Sequence, residues 1–251
     1  MIVEATKTKL PEIKQPTQLV TNQDNSLWSG DDTSIDDISY PRLILISGKS
    51  QLVDQGKATP NTIIESEGYN VLCGKDSFVE ILPLTTYIDW TKNQKLPAEK
   101  EFKQICSMKV PAVMPPKGKW TTDVVIEDGM DTVYKKRINA FVLVFNPKAE
   151  NVLPYKICFK GFGANAGKAI SSHFQISSMT NTSPIKKVFN LSIGSVTMDG
   201  RTTICWDVKK GRATTEEEVA LATTWRQRFK EAGDKVMVDK EVEVDGEEAP
   251  F

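Results

Sequence analysis

Between residues 120 and 208, short β-rich runs alternate with turn signals, and this pattern restricts the fold more than any other feature. Residues 139–145 read NAFVLVF, a β-branched and aromatic run that Asn146-Pro147 stops, and residues 153–160 supply the next strand. Residues 188–198 and 202–208 flank the turn Met198-Asp199-Gly200-Arg201, a strong hairpin signal. Residues 120–126 and 132–134 predict a second hairpin around 127–131, with Gly129 at its turn. Upstream, residues 43–46, 69–73 and 78–88 read as strands. Pro83 lies inside the last of these and has no N–H to give a ladder, so it implies an edge or a bulge. Residues 47–60 read as mostly loop, the Lys- and Pro-rich 91–119 as a long loop or insertion with a weak strand at best, and 164–176 as a short helix.

The strongest helix signal covers 215–231. Thr214 or Thr215 can cap it, each with a glutamate three residues on (Glu217 or Glu218), which is the spacing of a capping box. Val219, Ala222, Trp225, Arg226 and Phe229 recur at helical spacing, so Val219, Trp225 and Phe229 are expected to face a core. Acids at 216–218 and bases at Arg226, Arg228 and Lys230 complement the helix dipole. The fold expected is mainly β with one C-terminal α-helix. The order strand, strand, short helix, strand, strand across 139–208 suits an OB-fold-like barrel with insertions; other small β-barrels and sandwiches fit too.

Charge divides the 251 residues into three parts. Residues 1–39 carry seven acids and three bases, residues 40–233 carry 19 acids and 27 bases, and residues 234–251 carry seven acids and two bases. The division expected is a flexible acidic arm (1–39), a β-rich domain including the helix (40–233) and a disordered acidic tail (234–251). The formal net charge of −1 thus averages a basic body with two acidic ends. No apolar run of about 18 residues exists, so no membrane span is expected. The polar N-terminus lacks the apolar stretch of a secretion signal. Cys73, Cys106, Cys158 and Cys205 form no CxxC pair and read as reduced thiols of a cytoplasmic protein.

Catalytic patterns are weak. KGFGANAGKA, 160–169, misses the phosphate-loop spacing by one residue and has Ala169 where that loop needs Ser or Thr. A strand-to-helix turn near a backbone or a ligand phosphate is the better reading. The single histidine, His173, reads as a satisfied core or surface residue, and no Ser sits in a Gly-x-Ser-x-Gly elbow. Asp123, Glu127, Asp128 and Asp131 offer a Mg²⁺-nuclease alternative, with a solvated hairpin tip as the ordinary explanation. The expectation is a protein without catalytic residues, cofactor or metal.

Basic residues interleave with aromatics in four groups: Tyr87, Trp90, Lys92 and Lys95; Lys117, Lys119, Trp120, Tyr134, Lys135, Lys136 and Arg137; Lys160, Phe162 and Lys168; Trp206, Lys209, Lys210 and Arg212. Proteins that hold single strands use this mixture, because cations track phosphates and flat rings stack on bases. The competing reading makes the rings core and the lysines solubilising.

The acidic tail closes on Glu247, Glu248, Ala249, Pro250 and Phe251. This peptide resembles the C-terminal peptide of bacterial and phage single-stranded DNA-binding proteins. In those families the terminal Phe docks in an apolar pocket of replication and repair partners, with the carboxylates on a basic rim. Ala249 stands where the bacterial pattern prefers a larger apolar residue, and Gly246 interrupts the acids. The body is similar in general character to the divergent proteins of tailed bacteriophages, through Tyr-Pro-Arg-Leu at 40–43 and Gly-Lys-Ala-x-Pro at 56–60. The resemblance implies single-stranded DNA as ligand and replication or recombination proteins as partners through Glu247, Glu248, Pro250 and Phe251, with homo-oligomerisation left open. The alternative is a β-rich phage structural or assembly protein.

Overall fold

The computed structural model describes residues 40–96, 102–109, 111, 124–145 and 154–232. Its elements in chain order are β1 (Leu43–Ile46), α1 (Gln51–Asp54), β2 (Thr62–Glu65), β3 (Val71–Gly74), β4 (Phe78–Lys95), β5 (Lys103–Met108), β6 (Val125–Glu127), β7 (Met130–Phe145), β8 (Tyr155–Phe159), α2 (Ala164–Met179), β9 (Lys187–Met198), β10 (Arg201–Ala213) and α3 (Glu216–Ala232). Among the described residues the protein is mainly β with a few helices, and their two sheets do not close into a barrel. The expected barrel is corrected on this point, although the order β7, β8, α2, β9, β10 is the strand–strand–helix–strand–strand series read from sequence.

The large sheet is built on one long antiparallel pair. β4 and β7 stay in register from Glu80↔Phe145 to Lys95↔Asp131, with one bulge between Pro83 and Thr85. β9 joins β4 only over Phe78–Ile81, and β5 joins it only over Trp90–Gln94. On the far edge, β8 flanks the half of β7 from Ile138 to Val142, and β6 flanks the other end, from Met130 to Thr132. The pair therefore has different neighbours at the two ends of this one sheet: β10-β9-β4-β7-β8 at one end and β5-β4-β7-β6 at the other. Pro83 sits at the bulge, where among the described strands β4 has a ladder partner on one side only.

Both hairpin turns follow from their residues. Asp128 and Gly129 take φ of +52° and +75°, and Asp199 and Gly200 take +50° and +73°. Two positive φ angles in a row match the right-handed twist of paired strands, which is why Asp-Gly is favoured there.

Period two gives the large sheet two faces. Ile138, Ala140, Val142 and Val144 point to an inner face, where the main core joins them to Val79, Ile81, Ile157, Phe159, Phe189 and Leu191. The three-stranded sheet β1-β2-β3 adds Leu43, Leu45, Ile63 and Cys73 to this core, and α2 adds Ala166 and Ile170. Each fully buried aliphatic chain here contributes roughly 1.5–3 kcal/mol. Tyr155, on β8, donates a 2.9 Å hydrogen bond to Glu65 and ties the two sheets together. On the outer face Phe141 packs against Tyr40 (5.1 Å) and Phe229 of α3 (4.7 Å).

α3 begins with the capping box expected, in its Thr215–Glu218 form: the Glu218 N–H donates to Thr215 Oγ1, and the Thr215 N–H donates to Glu218 Oε2. Ala222 and Phe229 are its buried residues, while Val219 and Trp225 are half-buried. Arg212 holds its first turn to the sheet by pairing with Glu218 (2.6 Å) and Glu80 (2.9 Å). Arg226 donates to the Leu84 carbonyl, in the stretch of β4 between its β9 and β5 partners.

Two sequence expectations change here. Residues 91–95 continue β4, and 103–108 form β5, within what reads as a loop or insertion. The short helix α1 and the strand β2 lie in or beside a segment read as loop. No helix of the described residues is long and apolar enough to cross a membrane.

Candidate nucleic-acid interface

The first two aromatic–basic groups split between the faces of β4 and β7. Trp90 pairs in register with Lys136, and Lys92 with Tyr134, all on the inner face. Tyr87, Lys95, Lys135 and Arg137 alternate to the outer face. A strand cannot bring neighbours i and i+1 to the same side, so residues contiguous in sequence do not make one surface.

On the outer face Arg137, Tyr87 and Lys95 are held by their neighbours. Arg137 is 6% exposed and Asp89 8%, and the guanidinium donates to both carboxylate oxygens at 3.0 and 2.6 Å, with a further bond to Ser107. Tyr87 stacks on Phe141 at 6.1 Å, and Lys156 lies 5.9 Å over its ring. Lys95 pairs with Asp131 at 3.4 Å and lies over Phe102. Arg137 is thus buried in its ion pair with Asp89, while Tyr87 is half-buried with its ring against Phe141.

The inner face of the β5-β4-β7-β6 end is different. Trp90 is half-buried, and the Lys136 ammonium lies 5.8 Å from its ring centroid, a cation–π arrangement. Lys92 follows two residues on and pairs with Glu127 at 2.9 Å. Tyr134, only 4% exposed, donates its hydroxyl to both Glu127 oxygens at 2.9 and 3.1 Å. That contact and burial raise its pKa, burial being the larger cause. The Lys92 bond holds the Glu127 carboxyl below the ordinary carboxylate range and raises the Lys92 ammonium.

The glycine-rich segment borders this surface. Gly161 takes φ +53° in a 3-10 turn, Gly161–Gly163, that leads into α2. A Cβ on Gly167 would lie 2.8 Å from Phe159 Cβ and 3.0 Å from Ile138 Cβ, so this glycine lets α2 rest directly on β7 and β8. A Cβ on Gly163 would meet Trp206 at 2.8 Å. Gly163 and Gly167 serve close packing, and Gly161 the turn. They also seat the start of α2 at Ile138, next along the inner face from Lys136, with Lys160, Phe162 and Lys168 exposed around it.

The fourth group separates similarly. Trp206 faces the core, its ring 6.0 Å from Phe159. Lys209 pairs with Asp207 on the outer face, Arg212 is held by its two glutamates, and Lys210 is exposed. Lys117, Lys119, Trp120, Asp123, Glu247, Glu248, Pro250 and Phe251 lie outside the described residues.

Sequence reading missed two members of the inner face: Met108 opposite Trp90 and Cys106 opposite Lys92, both on β5. KQICSM has no clean alternation, and a bulge between its register pairs explains why. Of the acids of the nuclease alternative, Glu127 is bound to Lys92 and Tyr134, and Asp131 is paired with Lys95. Among the described residues no three His, Cys, Asp or Glu side chains gather as a metal ion would need. His173 makes a 2.9 Å contact through Nε2 with the Pro184 carbonyl and packs edge-on to Phe189.

No protein-family model, curated protein or solved structure matches this chain.

Proposed function

We propose that this protein binds single-stranded DNA without sequence preference and without catalysis, in the replication or recombination of a bacteriophage genome. The observation that carries the reading is the inner face at the β5-β4-β7-β6 end, where Trp90, Lys136 and Lys92 stand side by side on paired strands. An indole takes a base on its face, and neighbouring ammonium groups take the phosphates; such stacking contributes about 1–3 kcal/mol per base. Lys160, Phe162 and Lys168 extend the surface along the start of α2. The strand–strand–helix–strand–strand order of β7 to β10 keeps an OB-like interpretation within the proposal, as an opened form. The acidic Pro-Phe peptide, 247–251, belongs to the same proposal as the element that recruits replication or recombination proteins.

Titration of the full chain with oligo(dT), followed by tryptophan fluorescence over a salt series, tests the reading. Quenching with salt-sensitive affinity is expected, and Trp90→Ala should weaken binding by about 1–3 kcal/mol while the fold persists. Absence of salt-sensitive binding, with large DNA-indifferent polymers on size exclusion, would turn the assignment to an assembly protein. Mg²⁺-dependent loss of a labelled strand would turn it to a nuclease.

A further inference from the structure

We propose that Glu127 is a built-in competitor for phosphate at this surface, holding Lys92 in reserve until a strand displaces it; the inference rests on the single-strand-binding reading above. Three strands converge to make the arrangement. Lys92 comes from β4, Glu127 from the short β6 and Tyr134 from β7, where it is the register partner of Lys92. The carboxylate receives the Lys92 ammonium at 2.9 Å and the Tyr134 hydroxyl at 2.9 and 3.1 Å. The Lys92 and Glu127 side chains are 19% and 20% exposed, so both keep contact with solvent.

Trp90 and Lys92 are two residues apart on one face of an extended strand, roughly 7 Å. A nucleotide stacked on Trp90 therefore brings an adjoining phosphate over Lys92 and Glu127 together. Two effects of the carboxylate then oppose binding. It repels the phosphate directly. It also neutralises Lys92 in the free protein, so that cation contributes less to the counterion release that drives association. If Glu127 served only to anchor the β6–β7 hairpin, neutralising it would cost stability and leave affinity unchanged. Tyr134 fits the competitor role as the group that fixes the carboxylate beside Lys92.

Oligo(dT) titrations of the full-length chain over a salt series separate these roles. Glu127→Gln keeps the size of the side chain and an acceptor for Tyr134 but removes the charge. It is expected to tighten binding about three- to tenfold near 0.1 M salt and to steepen the log–log salt dependence by about 0.7, the increment for one further phosphate contact on a single strand. Lys92→Gln should cost more affinity in the Glu127→Gln background than in the native one, a coupling that a double-mutant cycle reads directly. Tyr134→Phe, which loosens the carboxylate without changing charge, should shift affinity the same way by a smaller factor.

Unchanged or weaker binding by a folded Glu127→Gln, or a Lys92→Gln cost no larger in the Glu127→Gln background than in the native one, overturns the inference. If Glu127→Gln does not fold, Tyr134→Phe decides, and no gain overturns it. A native protein that binds oligo(dT) with a flat Glu127→Gln response removes this inference alone. A native protein that does not bind removes the functional reading as well.

Discussion

The two ends of the β4–β7 pair differ in what covers them and in what they are made of. Residues 78–88 and 138–145 hold one charged side chain, Glu80, whereas residues 89–95 and 130–137 hold seven. At the first end both faces are packed: the main core lies on the inner face, and Phe141, Tyr40 and Phe229 lie on the outer. At the second end even the buried positions are polar, with Asp89, Thr91, Asn93, Gln94, Thr132 and Arg137 all under 9% exposed. The ladder is continuous across the change. One end thus supplies hydrophobic stability, and the other uses that anchorage to present charges and an indole that could not fold a sheet alone.

That contrast can be broken at either end. Phe141→Ala removes a ring that is 1% exposed and touches both Tyr40 and Phe229. Denaturant unfolding should show a loss of about 3–5 kcal/mol. Asp89→Asn at the other end leaves the Arg137 guanidinium buried with a weakened partner, at about 3 kcal/mol. It should also lower oligo(dT) affinity, because Asp89 adjoins Trp90 on β4 and the pair fixes the register there. An Asp89→Asn loss exceeding that of Phe141→Ala would mean that the polar end, not the aromatic one, anchors the pair.

Legibility in the sequence follows the same division. Local chemistry was readable: Asp-Gly at both hairpins, the Thr215–Glu218 box and the bulge at Pro83 each depend on residues a few positions apart. The apolar run at 139–145 was readable because nearly every side chain in it is buried. The continuation of β4 through Lys95 was not, since Asp89–Lys95 carries no apolar alternation and owes its strand to β7 and β5, partners distant in the chain. The candidate site was legible as residue types and not as a surface. Tyr87 and Trp90, grouped by proximity in sequence, fall on opposite faces, and the Lys92–Glu127–Tyr134 contact joins residues that the sequence assigned to different roles. The glycines of 160–169 resembled a phosphate loop because close helix–sheet packing needs the same residue as close approach to a ligand.

The smallest effect, and the sharpest comparison, is chemical. Cys73 is buried on the core side of β3, and burial pushes its thiol up to about 11 against the opposing bonds from Ser77 and the Ile63 backbone. The thiolate is the reactive form, so at pH 8 only about a thousandth of Cys73 is available, before access is considered. Cys106 is exposed on β5, across from Lys92. Iodoacetamide at pH 8, with peptide mass mapping over time, should modify Cys106 first and reach Cys73 only on unfolding, with Cys205 slowed because burial raises its thiol too. Saturating oligo(dT) should slow Cys106 and leave Cys205 unaffected, since Cys106 lies on the inner face beside Lys92 whereas Cys205 alternates to the outer face of β10. Protection of Cys205 with Cys106 unprotected would move the strand from the β5-β4-β7-β6 end to the β9–β10 hairpin.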